Sequence, residues 1–257
     1  MRAHPFALAL AGLLAVTAAF GSAATECTAR SGPQRTALVE LYTSEGCSSC
    51  PPADRWLSGL RGAGIGPDAA IPLAFHVDYW NKLGWPDRFS QAGYSDRQRL
   101  ASRRNGLDFV YTPQFIVDGK DFRLGTGYEA LKQPRDRARA SIALAVSADA
   151  SRLTVVATSG LAAGDRSRLP ELFVALTEDG LSTQVAAGEN MGRQLRHDAV
   201  VRALLEPTRL VPEEPAKLER SLTLERDWNP GHLTVVAFVQ DRATGEVLQA
   251  LALPVCR

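Results

Sequence analysis

The chain lacks a charge excess of either sign. Its 257 residues include 29 lysines and arginines against 28 aspartates and glutamates, so the formal net charge is +1 at pH 7. Proteins that bind nucleic acid usually carry a clear excess of basic residues. The balance therefore argues against a nucleic-acid-binding function and gives no reason to expect a highly charged partner.

Beyond its first 24 residues, the chain also lacks any apolar run long enough to span a membrane, which needs about 20 residues. Arg2 is followed by an uncharged stretch rich in Ala and Leu at 6–20, and then by Ser22 and Ala24 at positions −3 and −1 of a signal-peptidase site. A signal anchor is the alternative interpretation. We expect residues 1–24 to be a cleaved signal peptide, and the mature protein to be periplasmic and not membrane-spanning.

Motifs of several common enzyme classes are absent. There is no G-x-S-x-G sequence, so a serine hydrolase of the nucleophile-elbow type has no support. The sequence GAGIG at 62–66 follows a predicted helix and lacks the G-x-G-x-x-G spacing of a phosphate-binding loop. We therefore expect no organic cofactor.

Only four cysteines are present, and they fall into two pairs. Cys47 and Cys50 form a C-x-x-C sequence, whereas Cys27 and Cys256 lie near the two ends of the mature chain. A zinc site would need two further ligands nearby, and none is spaced that way, so we expect no metal. In an exported protein, a structural disulfide between Cys27 and Cys256 is favoured over two free thiols.

Two kinds of hydrophobic pattern divide the mature chain near Ser141. In the first part, short apolar runs at 37–43, 71–79 and 109–118 predict strands, and helices are predicted after Cys50, at 95–105 with Ser95 as N-cap, and from 128 to about 140. Beyond Ser141, short segments with period-two alternation predict an antiparallel β-sandwich. Within it, VVRALL at 200–205 is compatible with a strand or a helical turn.

The C-x-x-C sequence is placed between a predicted strand and a predicted helix. A helix N-terminus favours the thiolate that exchange chemistry requires, because it presents unpaired amide groups and the positive end of the helix dipole. Cys47 is expected to be the outer, attacking thiol and Cys50 the shielded, resolving thiol. The alternative is a structural disulfide that only fixes the helix.

A strand, C-x-x-C, a helix, and then a strand that opens with Thr112-Pro113 and closes in a D-G turn resemble the thioredoxin fold. The resemblance implies that the Thr112–Pro113 bond is cis and lies against the disulfide, and that these two residues hold the substrate. An ordinary trans proline on an edge strand is the alternative.

The resemblance extends to a family. SEGCSSCPPAD, FHVDYWNKLGWPDRF, YTPQFIVDG and GENMGRQLRHDAVVRALL together resemble a family of exported thioredoxin-like bacterial proteins that is catalogued as a domain of unknown function. It covers nearly the whole mature chain, and it implies a thioredoxin-like α/β fold at 33–140, followed by an antiparallel β-sandwich-like domain at 141–257.

The site departs from thioredoxin itself. Gly46 stands where thioredoxins have tryptophan, the dipeptide is Ser48-Ser49, and Glu45 would oppose a thiolate if it lay close by. A copper or zinc site that combines His76 with the two thiols is a further alternative. No acid or nucleophile can be assigned to His197 from the sequence.

The sequence therefore favours thiol–disulfide exchange with a protein or small molecule that carries a thiol or a disulfide. A protein of another class is the alternative: a catalytically silent binding or assembly module of the cell envelope, in which the second half carries the function.

Overall fold

The computed structural model describes residues 25–123, 127–149 and 151–256. The expected signal peptide, 1–24, lies outside the described residues. The described chain is a mostly-β α/β protein. Its helices are α1 (Pro51–Ser58), α2 (Ala92–Arg104) and α3 (Glu129–Lys132). Its strands are β1 (Thr25–Arg30), β2 (Ala37–Thr43), β3 (Ala70–His76), β4 (Gln114–Val117), β5 (Lys120–Phe122), β6 (Ala140–Ala148), β7 (Arg152–Leu161), β8 (Pro170–Glu178), β9 (Leu181–Gln184), β10 (Gln194–His197), β11 (Val200–Leu204), β12 (Thr208–Arg209), β13 (Ala216–Thr223), β14 (Leu233–Asp241) and β15 (Val247–Pro254).

The largest sheet has nine strands and draws on both halves of the chain. Its order is β15-β14-β8-β11-β3-β2-β4-β5, with β12 beside β8. β3 pairs in parallel with β2 on one side and with β11 on the other, where the Ala74 amide donates to the Ala199 carbonyl at 2.8 Å. The expected division near Ser141 stays a prediction, and the segments on either side of it share this sheet.

β2 is a run of seven buried residues because both faces of the sheet are covered at this point. Leu41 packs in one core cluster with Leu57 of α1, and Tyr42 packs in another with Tyr94 of α2. A strand buried on both faces reads as a continuous apolar run rather than an alternating one.

A second sheet, in the order β1-β6-β7-β13, is antiparallel throughout and packs against the β8–β14 part of the large sheet. The alternating buried residues Ile142, Leu144 and Val146 of β6 share a core cluster with Leu172 and Val235 of the opposite sheet. One face of each strand is therefore buried, which explains the period-two pattern of this region.

Two predicted helices differ from the observed ones. α2 begins at Ala92 with Gln91 as N-cap, so Ser95 is not the N-cap, and its buried hydroxyl instead hydrogen-bonds Asp78. The helix expected from 128 to about 140 ends at Lys132, because Gln133 precedes a proline and is extended. Proline disfavours helical backbone in the residue before it.

Two further segments can be compared with their predictions. VVRALL contains β11 and is a strand, not a helical turn. The strand expected over 109–118 is shorter, since β4 begins only at Gln114, after the proline. Among the described residues, no helix has the length and apolar character needed to cross a bilayer.

Candidate active site around Cys47 and Cys50

Cys47 and Cys50 lie in the loop between β2 and α1 and form a disulfide, with Cα atoms 5.4 Å apart. Cys50 is the N-cap residue of α1, and two prolines follow it in the first turn. Proline is tolerated here because the first amides of a helix have no helical partner. The next two amides, of Ala53 and Asp54, donate to the Cys50 carbonyl and begin the helix.

Both cysteines are completely buried, although Ser48 and Ser49 between them are exposed. The Ser49 hydroxyl lies 3.3 Å from Cys47 Sγ and 3.5 Å from the Thr112 carbonyl oxygen, to which it donates. The exposed dipeptide therefore links the C-x-x-C loop to the loop that precedes β4.

The Thr112–Pro113 peptide bond is cis. Trp80 Nε1 donates to Thr112 Oγ1 at 2.8 Å, which fixes the side chain of Thr112 beside the disulfide loop. Thr112 thus lies next to the C-x-x-C loop, 63 residues away in the sequence from its nearest contact, Ser49. The substrate-binding role of Thr112 and Pro113 stays a prediction.

A buried cluster of titratable side chains lies next to this loop. Its members are at most 7% exposed: Glu45, Asp54, His76, Asp87 and His197. They come from the C-x-x-C loop, α1, the end of β3, the loop before α2, and β10. Two histidines and three carboxylates are therefore gathered from both halves of the chain.

His76 is tied to Asp87 within the cluster. Its Nδ1 lies 2.7 Å from Asp87 Oδ2. Burial acts to lower the pKa of His76, but the charge and hydrogen bond of Asp87 outweigh it and hold that pKa above its usual value. Burial acts to raise the pKa of Asp87, but His76 and the amides of Glu45 and Phe89 hold it below its usual value. The two side chains form a buried ion pair.

His197 is the link between the other two carboxylates. Its Nε2 lies 3.3 Å from Glu45 Oε1 and its Nδ1 lies 3.8 Å from Asp54 Oδ2, and its ring meets the His76 ring edge to face at 4.9 Å. Burial raises the pKa of Asp54, although the charge of His197, together with other contacts, offsets part of this shift. Asp54 is thus the carboxyl of the cluster that most readily keeps a proton.

Glu45 is close to Cys47 in the sequence, but its side chain is held within the cluster. Trp85 Nε1 donates to Glu45 Oε2 at 2.8 Å. Burial acts to raise the pKa of Glu45, but its contacts with His197 and Thr183 and the hydrogen bond from Trp85 hold it below its usual value. The carboxylate is therefore stabilised within the cluster.

The sequence assigned no acid to His197, and the structure places Glu45 and Asp54 beside it. These contacts span about 150 residues, and no local pattern shows them. The copper or zinc alternative for His76 requires two free thiols, whereas Cys47 and Cys50 are joined in a disulfide. Within residues 25–123, 127–149 and 151–256, no group of three or more His, Cys, Asp or Glu side chains is arranged to hold a metal ion.

The loop at 185–193, here called the cover loop, connects β9 to β10 and lies on the C-x-x-C loop. Asn190 is completely buried, and its Nδ2 donates to the carbonyls of Glu45 and Cys47, both at 2.9 Å. Glu189 Oε2 accepts from the Ser48 amide at 3.0 Å. The sequence contained these residues in GENMGRQLRHD but gave no sign of their contact with the cysteines.

Cys27 and Cys256 form the second disulfide, with Cα atoms 5.9 Å apart. It joins β1 to the residues after β15, across a sequence separation of 229. Both cysteines are half-buried, and Cys27 packs against the core cluster between the two sheets. Two disulfides are typical of proteins that reside outside the cytosol.

A family model described as "Protein of unknown function (DUF1223)" matches residues 38–240. The chain belongs to this family. The DUF1223 region includes the C-x-x-C loop, the buried cluster and the cover loop, whereas Cys27 and Cys256 lie outside it. No curated protein matches the sequence significantly.

Two solved structures are similar in fold. The protein AGR_C_4864 from Agrobacterium tumefaciens is 21% identical, with a TM-score of 0.60 over 88% of this chain and 97% of that one. HBP35 of Porphyromonas gingivalis is 13% identical, with a TM-score of 0.63 over 88% of this chain and 76% of that one. At these identities, the likeness concerns the fold alone.

Proposed function

We propose that this DUF1223 protein is an exported, periplasmic thiol–disulfide oxidoreductase with a thioredoxin-like domain at 33–140 and its redox site at Cys47 and Cys50. The observation that carries the proposal is the position of a C-x-x-C disulfide at the N-terminus of α1, linked through Ser49 to the cis Thr112–Pro113 segment. The partner is a protein or small molecule that carries a thiol or a disulfide.

The exchange proceeds in two displacements. The Cys47 thiolate attacks one sulfur of a partner disulfide, and the second partner sulfur leaves as a thiolate that takes up a proton. Cys50 then loses its proton and attacks Cys47, which breaks the mixed disulfide and releases the first partner sulfur. The partner gains two electrons and the Cys47–Cys50 pair loses them; the reverse sequence oxidises a partner dithiol.

The N-terminus of α1 stabilises a Cys47 thiolate less than the N-terminus of a helix whose first-turn amides are free to donate. Pro51 and Pro52 have no N–H group, and the next two amides donate to the Cys50 carbonyl. The helix dipole therefore acts with few directed hydrogen bonds. A less stabilised thiolate makes the disulfide relatively more stable, so we expect the potential to lie towards the reducing end of the oxidoreductase range.

A binding or assembly module is the second candidate function, and the complete burial of both sulfurs favours it. In that case the Cys47–Cys50 disulfide is structural, and the β-sandwich-like region at 141–257 contacts another envelope protein. Such a module needs no reactive cysteine.

The reduction potential separates the two functions. The oxidised mature protein is equilibrated in glutathione redox buffers, alkylated, and analysed by mass so that each cysteine pair is resolved. A value for Cys47–Cys50 between about −120 and −270 mV supports exchange, and a value well below about −300 mV supports a structural disulfide. Cys47→Ser must also abolish disulfide transfer to a thiol-bearing partner, whereas Cys27→Ser must not.

A further inference from the structure

We propose that the cover loop, 185–193, controls access to the Cys47–Cys50 disulfide, and that Asn190 is the positioning residue that holds it closed. This inference rests on the proposed exchange function and assigns a regulation to the same site. It concerns a segment from the second half of the chain, for which the exchange chemistry gives no role.

The cover loop is built as a unit on its own hairpin. β9 and β10 form a two-stranded sheet that is separate from the two larger sheets. The Val185 amide donates to the Arg193 carbonyl, and the Gly192 amide to the Val185 carbonyl, both at 2.9 Å. Because these bonds lie within the hairpin, the loop can leave the C-x-x-C loop without breaking them.

The attachment of the cover loop to the redox site is concentrated in two side chains. The side-chain amide of Asn190 donates to the carbonyls of Glu45 and Cys47. Its Oδ1 accepts from Arg193 Nη1 at 3.0 Å. Glu189 accepts from the amide that follows Cys47. Three successive bonds therefore fix the backbone on both sides of the attacking cysteine.

Exchange needs an incoming thiolate to reach a sulfur atom. Both sulfurs belong to residues with no solvent exposure while these bonds are in place. Intramolecular hydrogen bonds contribute only modestly to stability when water can replace the lost partner. Local opening of the cover loop is therefore far less costly than global unfolding, and we infer that exchange proceeds through this open form.

The test compares the rates at which dithiothreitol reduces the two disulfides of the same molecule. Wild type, Asn190→Ala, Glu189→Ala and the control Arg196→Ala are quenched by alkylation and analysed by mass. Arg196 is a suitable control because it lies on β10 and is exposed. Glu189 is also exposed, so its removal leaves the fold intact.

Asn190→Ala is expected to speed reduction of Cys47–Cys50 by about tenfold, the scale of one or two lost hydrogen bonds, and Glu189→Ala by a smaller factor. Reoxidation by glutathione disulfide is expected to accelerate by the same factor, because access affects both directions equally. The Cys27–Cys256 disulfide and Arg196→Ala are expected to keep wild-type rates.

The proposal is overturned if both Asn190→Ala and Glu189→Ala leave the Cys47–Cys50 rates unchanged. It is also overturned if Asn190→Ala accelerates both disulfides equally, because that result indicates general loosening, and Glu189→Ala shows no selective effect. Faster reduction together with a potential well below about −300 mV would retain the cover and reject the exchange function, so the two failures are distinguishable.

Discussion

Cys47–Cys50 and Cys27–Cys256 are disulfides of the same chain in opposite surroundings. The first spans three positions, lies at the start of a helix, and borders a buried cluster of carboxylates and histidines. The second spans 229 positions and packs beside the apolar core between two sheets. One site is built from charged groups that titrate, and the other from groups that do not, so the two should respond differently to pH, to reductant and to mutation.

The largest effect is expected from the buried ion pair near the first disulfide. Asp87→Asn should lower the free energy of unfolding at pH 5.5 by about 3–5 kcal/mol, because it leaves a buried charge on His76 without its partner. Denaturant unfolding between pH 4 and pH 9 measures this effect. A loss of stability well under 1 kcal/mol would contradict the buried ion pair.

The contribution of the His76–Asp87 pair to stability depends on pH in a defined direction. The pKa of His76 is raised, so its contribution is complete below its unfolded pKa of about 6.5 and is lost as the pH rises through the folded value. The pKa of Asp87 is lowered, so its contribution is present above about pH 3.9 and is lost as the pH falls through the folded value. The pair therefore stabilises most between about pH 4 and 6.5.

The apolar region supplies the matched control for that profile. Leu153 is completely buried in the core between the two sheets. Leu153→Ala should lower stability by about 2–5 kcal/mol through lost burial and a cavity. Its profile should run parallel to that of the wild type, whereas Asp87→Asn should flatten it. Equal pH profiles in the two variants would contradict the claim that stability depends on pH through the His76–Asp87 pair.

Cys27→Ser should lower the free energy of unfolding by about 2–4 kcal/mol, because the disulfide restricts a very long segment of the unfolded chain. For a protein of this size, the melting temperature falls by about 2–4 °C for each kcal/mol. Cys47→Ser removes a disulfide that closes a far shorter loop, so it should lower the free energy of unfolding by less. Calorimetry of both variants measures the difference, and an unchanged midpoint for Cys27→Ser would contradict a stabilising role.

The smallest effect concerns the segment beside the Cys47–Cys50 disulfide. Thr112→Val removes the acceptor of the Trp80 N–H group and should cost about 1 kcal/mol. It should also slow disulfide transfer from Cys47 while leaving Cys27–Cys256 unaffected. Thr154→Val, which removes an exposed hydroxyl bonded to Ser221 between β7 and β13, is the matched control and should leave transfer unchanged. Equal transfer rates in both variants would count against a role for Thr112.

Local sequence patterns predicted those elements whose conformation depends on residues close by in the sequence. The apolar run at 37–43 is β2, and the alternation around Leu144 marks β6 as a strand with one buried face. The same reasoning placed the N-cap of α2 at Ser95, because a serine there has the right chemistry, whereas its hydroxyl is committed to Asp78, 17 residues away. Capping preference is local, and a tertiary hydrogen bond overrode it.

The rest of the site could not be predicted, because it depends on contacts between distant parts of the chain. Asn190 reaches Glu45 and Cys47 across 145 and 143 residues, and His197 meets Asp54 across a similar separation. Periodicity reports which face of an element is buried but not what covers it. The division near Ser141 rests on a change in hydrophobic pattern. Such a change does not reveal that strands from both sides of it belong to one sheet.

The pairing of β3 with β11 has a consequence for the order of events during synthesis. The centre of the nine-stranded sheet joins Ala74 to residues near Val200, and its edge strand β15 ends at Pro254. Non-local pairing of this kind raises contact order and slows folding. Three cysteines therefore emerge and remain accessible well before Cys256 is available, and a wrong bond between Cys27 and the C-x-x-C pair has time to form. Such a bond would have to be exchanged for the Cys27–Cys256 disulfide before the native pairing is complete.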